Sequence, residues 1–365
     1  MKILELGKFY PPVRGGIETL LKSLCEGFVR KGAEVECVVA NNRAATLREN
    51  INGVNVQRLR SFGTLFSTSL CPGYIAAAKK SNANIWHTHF PNPNADRAIL
   101  AAPDRARIVI TYHSEIVRQA WMMKLYGPIV ERTLRRADRI VVASPKHLEH
   151  CRFLQPHLKK CVVIPFGIDA AKLTAPIPIS LHMPTGPRPI LLTVGRLVGY
   201  KGHRYLIEAM RNIQATLWIV GSGPLENELR QQAAQSGLSE RVHFLGNVAD
   251  DQLPALYQAC DIFVLPSITP NEAFGVVQLE AMACGKPVVS CDLASGVPWV
   301  NQHEATGLIV PPRDANALGN AIQKIANDSA LANRLGEAGR ARVANEFTEQ
   351  RMIDSYHNLF TQLAA

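Results

Sequence analysis

The sequence predicts an α/β chain made of two Rossmann-like domains, each a doubly wound parallel sheet. Three observations predict it. Short β-branched runs alternate with helical stretches along almost the whole chain, as strand–helix–strand units require. Several runs, such as RIVITYH (107–113) and CVVIPFG (161–167), are continuously apolar, as strands covered on both faces must be. The length of 365 residues suits about two domains of roughly 150 residues each.

Expected strands in the first half are KILELG (2–7), EVECVVAN (34–41), VNVQRLR (54–60), IWHTH (85–89), RIVITYH, RIVVAS (139–144) and CVVIPFG. Helical patterns fill 17–30, 68–80 and 117–137, the last kinked at Gly127-Pro128 because proline removes a helical N–H. Pro176, Pro178, Pro184, Pro187 and Pro189 then break the rhythm, a density that suits a linker. Alternation resumes with PILLTVG (189–195), ATLWIVG (215–221), VHFLG (242–246), IFVLPS (262–267), PVVSCD (287–292) and GLIVPP (307–312). Three helical patterns from about 314 to 364 close the chain. The domains are therefore expected at 1–174 and 189–346, with a linker at 175–188 and a last helix, about 347–365, packing back on the first domain. Ligands of open parallel sheets gather at the carboxyl ends of strands, so two such domains facing each other frame one deep cleft.

Apolar residues make up 47% and charged residues 19%, which excludes a disordered chain. The net charge of +10 hides an asymmetry. Residues 1–182 carry 26 basic and 13 acidic side chains, a net of +13, whereas 183–365 carry 14 and 17, a net of −3. The anionic part of a partner is expected to meet the first half; nucleic acid, a membrane surface and a phosphorylated substrate all fit that charge. None of the eight cysteines stands in a C-x-x-C pair, so they read as buried thiols of a reducing compartment. The apolar start of MKILELGKFYPP is too short for a signal peptide, and no run of about 18 apolar residues exists to span a bilayer. A cytoplasmic protein, peripheral to the membrane at most, is expected.

Four segments carry chemistry. In GKFYPPVRGGIE (7–18) a strand gives way to a helix, and Gly15 and Gly16 expose backbone N–H groups for an anion. It is not G-x-G-x-x-G, which argues against a dinucleotide cofactor. VGSGPLE (220–226) imitates that fingerprint but has Glu226 at the third glycine position; Gly221 and Gly223 still suit the wall of a nucleotide pocket. In TVGRLVGYKGH (193–203), Arg196 and Lys201 follow a strand end, where a planar fork and a point charge together neutralise a diphosphate. The competing reading is ordinary solvated charge. In PSITPNEAFGVVQLEAMACGKP (266–287), Glu272 falls in a loop and Glu280 nearly two turns into a helix beginning near Phe274. A carboxylate in the apolar stretch VVQLEAMA needs a partner, so Glu280 is expected to hold a hydroxyl pair or a cation. The N–H groups of Phe274, Gly275 and Val276 favour a phosphate.

Glu272 and Glu280 match the E-x7-E pattern of family 4 retaining glycosyltransferases of the GT-B fold. The resemblance covers essentially the whole chain, from FYPPVRGGIE through GRLVGYKG to TGLIVPPRD (306–314). It implies that Gly16, Arg196 and Lys201 contact the donor diphosphate, Glu280 the donor ribose, and Glu272 the hydroxyls of the transferred sugar. His113, in TYHSE (111–115), matches the family's active-site histidine. His87 and His89 lie near another strand end and are candidates for the acceptor side.

The implied reaction transfers a sugar from a nucleotide diphosphate with retention at the anomeric carbon, through an oxocarbenium-like transition state. Charge grows on the β-phosphate, where Arg196, Lys201 and the helix N-terminus act by electrostatic preorganisation. No Asp-x-Asp motif is present and the two cations make a metal unnecessary, so no metal or other cofactor is expected. The text around 111–119 and 267–290 resembles bacterial mannosyl- or rhamnosyl-type transferases of surface-polysaccharide assembly. That makes GDP-mannose the first donor and a UDP-hexose the next, with a glycan or lipid-linked acceptor.

The segment 117–139 carries Arg118, Lys124, Arg132, Arg135 and Arg136 beside Trp121, Met122 and Met123. A basic helix with bulky apolar residues suits an anionic membrane; the competing reading puts its apolar residues in the core and its cations in water. A nucleotide-sugar epimerase or a phosphorylase on the same architecture is the enzymatic alternative. A nucleic-acid-binding protein is the other, although no recognition-helix or aromatic-strand signature supports it.

Overall fold

A computed structural model describes residues 1–13, 15–65, 68–114, 123–177 and 183–365. They form two compact units, Met1–Phe166 with Glu349–Ala365, and Gly167–Thr348.

The first unit's strands are β1 (Lys2–Leu6), β2 (Glu34–Ala40), β3 (Leu47–Ile51), β4 (Val54–Leu59), β5 (Thr64–Leu65), β6 (Thr68–Ser69), β7 (Ile85–Phe90), β8 (Arg107–Tyr112), β9 (Arg139–Val142) and β10 (Cys161–Val163). Eight of them make one sheet in the order β10-β9-β8-β7-β1-β2-β4-β3, with β5 and β6 a separate ribbon. All neighbours run parallel except β3 with β4. The order reverses at β1 and β7, the switch point where such sheets open a crevice. There Glu5 is the register partner of His87.

Leu4, Leu6, Val38, Trp86, Ile108 and Ile110 build a core with Val130 and Leu134. The last two belong to the helix Met123–Arg136. Arg132 and Arg135 on that helix are exposed, and Arg136 is half-buried and donates to the Pro103 carbonyl at 3.3 Å. Val130 and Leu134 are thus core, Tyr126 packs against it and Ile129 is half-buried, while Arg132 and Arg135 face outward. Arg118 lies outside the described residues, as does the side chain of Lys124. The helix Gly16–Arg30 buries Leu20, Leu21, Leu24 and Phe28. It packs with the helix Glu349–Ala364, where Phe360 meets Phe28 at 5.1 Å.

Two expectations need correction. The helix expected at 68–80 is only Tyr74–Lys79, because β6 takes Thr68–Ser69 and Pro72-Gly73 interrupts the helical ladder. The strands β3, β5 and β6 were not expected: LRENI is exposed or half-buried throughout and carries no buried-strand pattern, and β5 and β6 are two residues each.

The second unit contains β11 (Ile190–Val194), β12 (Thr216–Val220), β13 (Val242–Gly246), β14 (Ile262–Leu265), β15 (Val288–Cys291) and β16 (Gly307–Val310). They form a wholly parallel sheet ordered β13-β12-β11-β14-β15-β16, reversing at β11 and β14. The dividing line falls at Phe166/Gly167 rather than at 174. Two sets of bonds explain this. The Ile168 N–H donates to the Phe347 carbonyl at 2.9 Å, and the Leu173 carbonyl accepts from Gln258 and Cys284. Six cysteines are buried, and Cys161 and Cys284 are half-buried. No helix among the described residues is long and apolar enough to cross a membrane.

Candidate active site

The second unit's candidates cluster at its switch point. Arg196 is exposed just past β11, and Lys201 closes the short turn Gly199–Lys201. This turn is stitched to the loop after β14 by the Ile268 N–H, which donates to the Tyr200 carbonyl at 2.8 Å. The close approach requires Gly202: its φ is 71°, and a Cβ there would stand 2.0 Å from the Pro266 carbonyl oxygen. As a result Lys201 Nζ lies 2.5 Å from Glu272 Oε2. The same oxygen accepts the Ser267 hydroxyl at 3.0 Å. Burial alone would lower the Lys201 pKa, but Glu272 and then Tyr200 hold it above the ordinary lysine value. Lys201 is therefore a fixed positive charge.

The helix Val276–Ala283 follows Gly275, whose φ of 71° turns the chain into it. It begins two residues after Phe274, which is itself buried against Trp299 and Phe347. Gly275 and Val276, not Phe274, thus form the turn into this helix. On the helix, Glu280 Oε2 accepts the Tyr257 hydroxyl at 2.5 Å. Burial raises the Glu280 pKa, the Tyr257 hydrogen bond opposes it and Asp250 adds to it, leaving the group pushed up to about 7. Gly223 acts by packing: a Cβ would come within 2.5 Å of the Leu197 carbonyl oxygen, so glycine lets the loop after β12 lie on the Arg196 loop.

The first unit buries a polar network at its own switch point. Glu5, His87, His89 and Thr111 are 0–1% exposed and His113 is 7% exposed. His87 Nδ1 lies 2.9 Å from both Glu5 oxygens, and His87 Nε2 lies 2.8 Å from Thr111 Oγ1. Thr111 Oγ1 lies 2.8 Å from the Tyr356 hydroxyl. On the other side His89 Nε2 stands 3.5 Å from Glu5 Oε2, and His89 Nδ1 lies 2.9 Å from His113 Nε2. Burial would raise the Glu5 pKa, but His87 and His89 bring it down to about 2. His89 and His113 are both lowered, chiefly by burial, and so are neutral near pH 7. The ligand atoms of Glu5, His87 and His89 fall within 4.8 Å of one another, the one such group among the described residues. A metal there would have to displace any proton these imidazoles carry toward the carboxylate. Gly15 and Gly16 open the helix Gly16–Arg30, and nothing lies within 4 Å of where a Gly16 Cβ would stand.

Residues 183–342 match the model of glycosyl transferases group 1, and residues 14–172 match that of glycosyltransferase family 4. The chain is 35% identical over 372 residues to the O-antigen chain mannosyltransferase C of Escherichia coli, covering 100% of this chain and 99% of that protein. The chain belongs to glycosyltransferase family 4. This glycosyltransferase is also 33% identical to the D-rhamnosyltransferase WbpZ of Pseudomonas aeruginosa, covering 95% of this chain and 92% of the other. It is 28% identical to the GDP-mannose-dependent alpha-(1-6)-phosphatidylinositol monomannoside mannosyltransferase of Mycobacterium tuberculosis, with 95% and 94% covered. Among solved structures, sucrose-phosphate synthase from Thermosynechococcus elongatus superposes with a TM-score of 0.82 at 27% identity, covering 100% and 99% of the two chains.

The glycosyltransferase divides its candidates between the units. Gly15, Gly16 and His113 belong to the first, and Gly223, Arg196, Lys201, Glu272, Phe274–Val276 and Glu280 to the second. Within the second unit Lys201 and Glu272 touch, whereas Glu280 engages Tyr257. Sequence reasoning missed Glu5, Tyr257 and Ser267. Glu5 did leave a signal, a lone carboxylate inside the apolar strand KILEL, where an unpaired charge is costly. Tyr257 and Ser267 left none, being ordinary in their own segments.

Proposed function

We propose that this glycosyltransferase moves mannose from GDP-mannose, with retention at the anomeric carbon, to a glycan or lipid-linked acceptor in surface-polysaccharide or glycolipid synthesis. The observation that carries the reading is the full-length, 35% identity to an O-antigen chain mannosyltransferase. The GDP-mannose-dependent relative adds support for the donor.

In this reading the bond from the anomeric carbon to the β-phosphate oxygen breaks, and a bond from the acceptor oxygen forms on the same face. The acceptor proton passes to the departing phosphate. Arg196, Lys201 and the N–H groups at Gly275 and Val276 stabilise that phosphate as charge builds on it. With positive charge supplied this way, the reading assigns no role to a metal. Glu280 binds the ribose diol. The diphosphate takes Lys201 over from Glu272, which is then released toward hydroxyls of the transferred sugar. His113 contacts the sugar substrates. The basic first half, including the exposed Arg132 and Arg135, receives an anionic lipid-linked acceptor.

A thermal-shift screen with GDP, UDP, ADP and dTDP tests the donor, followed by transfer from the matching sugar nucleotide. GDP is expected to stabilise the protein most. Stabilisation by UDP alone would replace GDP-mannose by a UDP-hexose. Flotation with anionic vesicles tests the lipid reading, and no binding at low salt would remove it.

A further inference from the structure

We infer that Glu5, acting through His89, fixes the tautomer of His113, holding its proton on Nε2 so that Nδ1 carries the lone pair. His113 then meets a sugar hydroxyl as a hydrogen-bond acceptor. The inference rests on the proposed contact of His113 with substrate only for that last consequence; the tautomer itself follows from the geometry of the buried network.

The order of protons starts at the one group with no choice. An ionised carboxylate only accepts, so His87 Nδ1, 2.9 Å from both Glu5 oxygens, carries a proton. His87 Nε2 lies 2.8 Å from the Thr111 hydroxyl, which lies 2.8 Å from the Tyr356 hydroxyl. This branch ends in a hydroxyl and asks nothing more of Glu5.

The second branch runs the other way. His89 Nε2 stands 3.5 Å from Glu5 Oε2, an electrostatic contact rather than a formed hydrogen bond, and has no hydrogen-bond partner among the described residues. A lone pair on Nε2 would point at a buried negative charge, a repulsion that low-dielectric surroundings magnify. A proton on Nε2 turns that repulsion into attraction. His89 Nδ1 is then the acceptor, and the nitrogen it meets at 2.9 Å, His113 Nε2, must donate. Neutral histidine has one N–H, which leaves His113 Nδ1 bare. The stacked rings of His89 and His113, with centroids 5.2 Å apart, and the bond from the His113 backbone amide to the Phe90 carbonyl at 3.1 Å hold the geometry. Glu5 and His89 are positioning residues in this scheme. They orient the charge pattern of a ring that neither strand end would fix alone.

The test uses the intact chain with 15N-labelled histidine, read by long-range 1H–15N correlation spectra, with His113→Gln to assign the His113 signals. The wild type is expected to show a pyrrole-like His113 Nε2 and a pyridine-like Nδ1. Glu5→Gln supplies an amide N–H that donates to His89 Nε2. It is expected to exchange both tautomers, moving the His113 proton to Nδ1. His89→Phe removes the acceptor and is expected to give averaged shifts at both His113 nitrogens, which keeps the test open if Glu5→Gln fails to fold. In transfer assays both variants are expected to lose roughly 10- to 100-fold in kcat, the cost of a mispaired buried hydrogen bond, with a smaller change in donor KM. Glu5→Asp, which keeps the charge, should restore the Nε2–H form. An Nδ1–H His113 in the wild type, or a tautomer unchanged by Glu5→Gln and His89→Phe, overturns the inference. Full transfer by His113→Gln would instead overturn the contact of His113 with substrate, leaving the tautomer assignment untouched.

Discussion

Lys201 and Glu272 neutralise each other across 2.5 Å, with side chains only 13% and 11% exposed. The proposed reading assigns this cation and this anion to different parts of the donor, yet here they are each other's partner. Removing one member of such a shielded pair strands the other charge, at about 3–5 kcal/mol.

Glu272→Ala is therefore expected to lower the melting temperature of the free protein while abolishing transfer. Its nucleoside-diphosphate binding should persist, and GDP should raise its melting temperature more than it raises that of the wild type. The diphosphate restores a partner to Lys201. Differential scanning fluorimetry with and without GDP checks this. A variant that loses GDP binding in step with transfer would show that Glu272 holds the nucleotide itself.

Glu280 makes a pH prediction. Its folded pKa of about 7 lies above the ordinary carboxylate value of 4.5. Its contribution to stability is thus full below about pH 4.5 and is lost as pH rises toward 7. Glu280→Gln should flatten that part of the stability curve. Donor affinity should run in the opposite sense and improve as Glu280 ionises, because an ionised carboxylate is the stronger acceptor for a ribose diol. Tyr257→Phe removes the hydrogen bond that lowers the Glu280 pKa, so the midpoint of that affinity change should move upward. Calorimetric titration with GDP between pH 5 and 9 measures both.

Glu5 gives the opposite sign. Its folded pKa of about 2 lies below 4.5, so its stabilisation is present above about pH 4.5 and fades as pH falls toward 2. The linkage amounts to about 3 kcal/mol. Denaturant unfolding at pH 6 and at pH 3 should show a smaller difference for Glu5→Gln than for the wild type.

Two glycines should separate packing from binding. Gly223→Ala drives a Cβ into the Leu197 backbone and is expected to cost about 1–3 kcal/mol of stability. Gly16→Ala meets open space and should change stability by less than about 0.5 kcal/mol. If Gly16 adjoins the donor phosphates, Gly16→Ala should still cut kcat/KM at least about tenfold, a steric effect that only the bound ligand reveals. Parallel melting curves and initial rates distinguish the two variants.

Chelation completes the set. With Arg196 and Lys201 carrying the phosphate charge, transfer is expected to survive EDTA with less than a twofold change. A rate that collapses and returns with added divalent cation would give the diphosphate a metal partner.

Much of this was legible in the sequence. Thirteen strands were expected and each occurs within a residue or two at its start, because buried parallel strands write themselves as apolar runs. β3 escaped because it is an exposed edge, where the run is absent, and β5 and β6 because two residues make no run. Lys201, Glu272, Glu280 and His113 could be singled out as candidates because charged residues and glycines stand together near strand ends. Their partners could not. The Lys201–Glu272 pair depends on Gly202 admitting the Pro266 carbonyl, and the Glu5 network depends on register between β1 and β7. Both are relations between segments that no single segment states.

The helix Glu349–Ala364 counts with the first unit although all of the second precedes it in the chain. It supplies Tyr356 to the Thr111 hydroxyl and Phe360 to the ring stack around His87. During synthesis, then, the first unit emerges early but stays unfinished. Its buried histidines lack a hydroxyl and an aromatic wall until the whole second unit has been translated. Ribosome-bound chains stopped before residue 349 therefore lack the helix that completes the first unit.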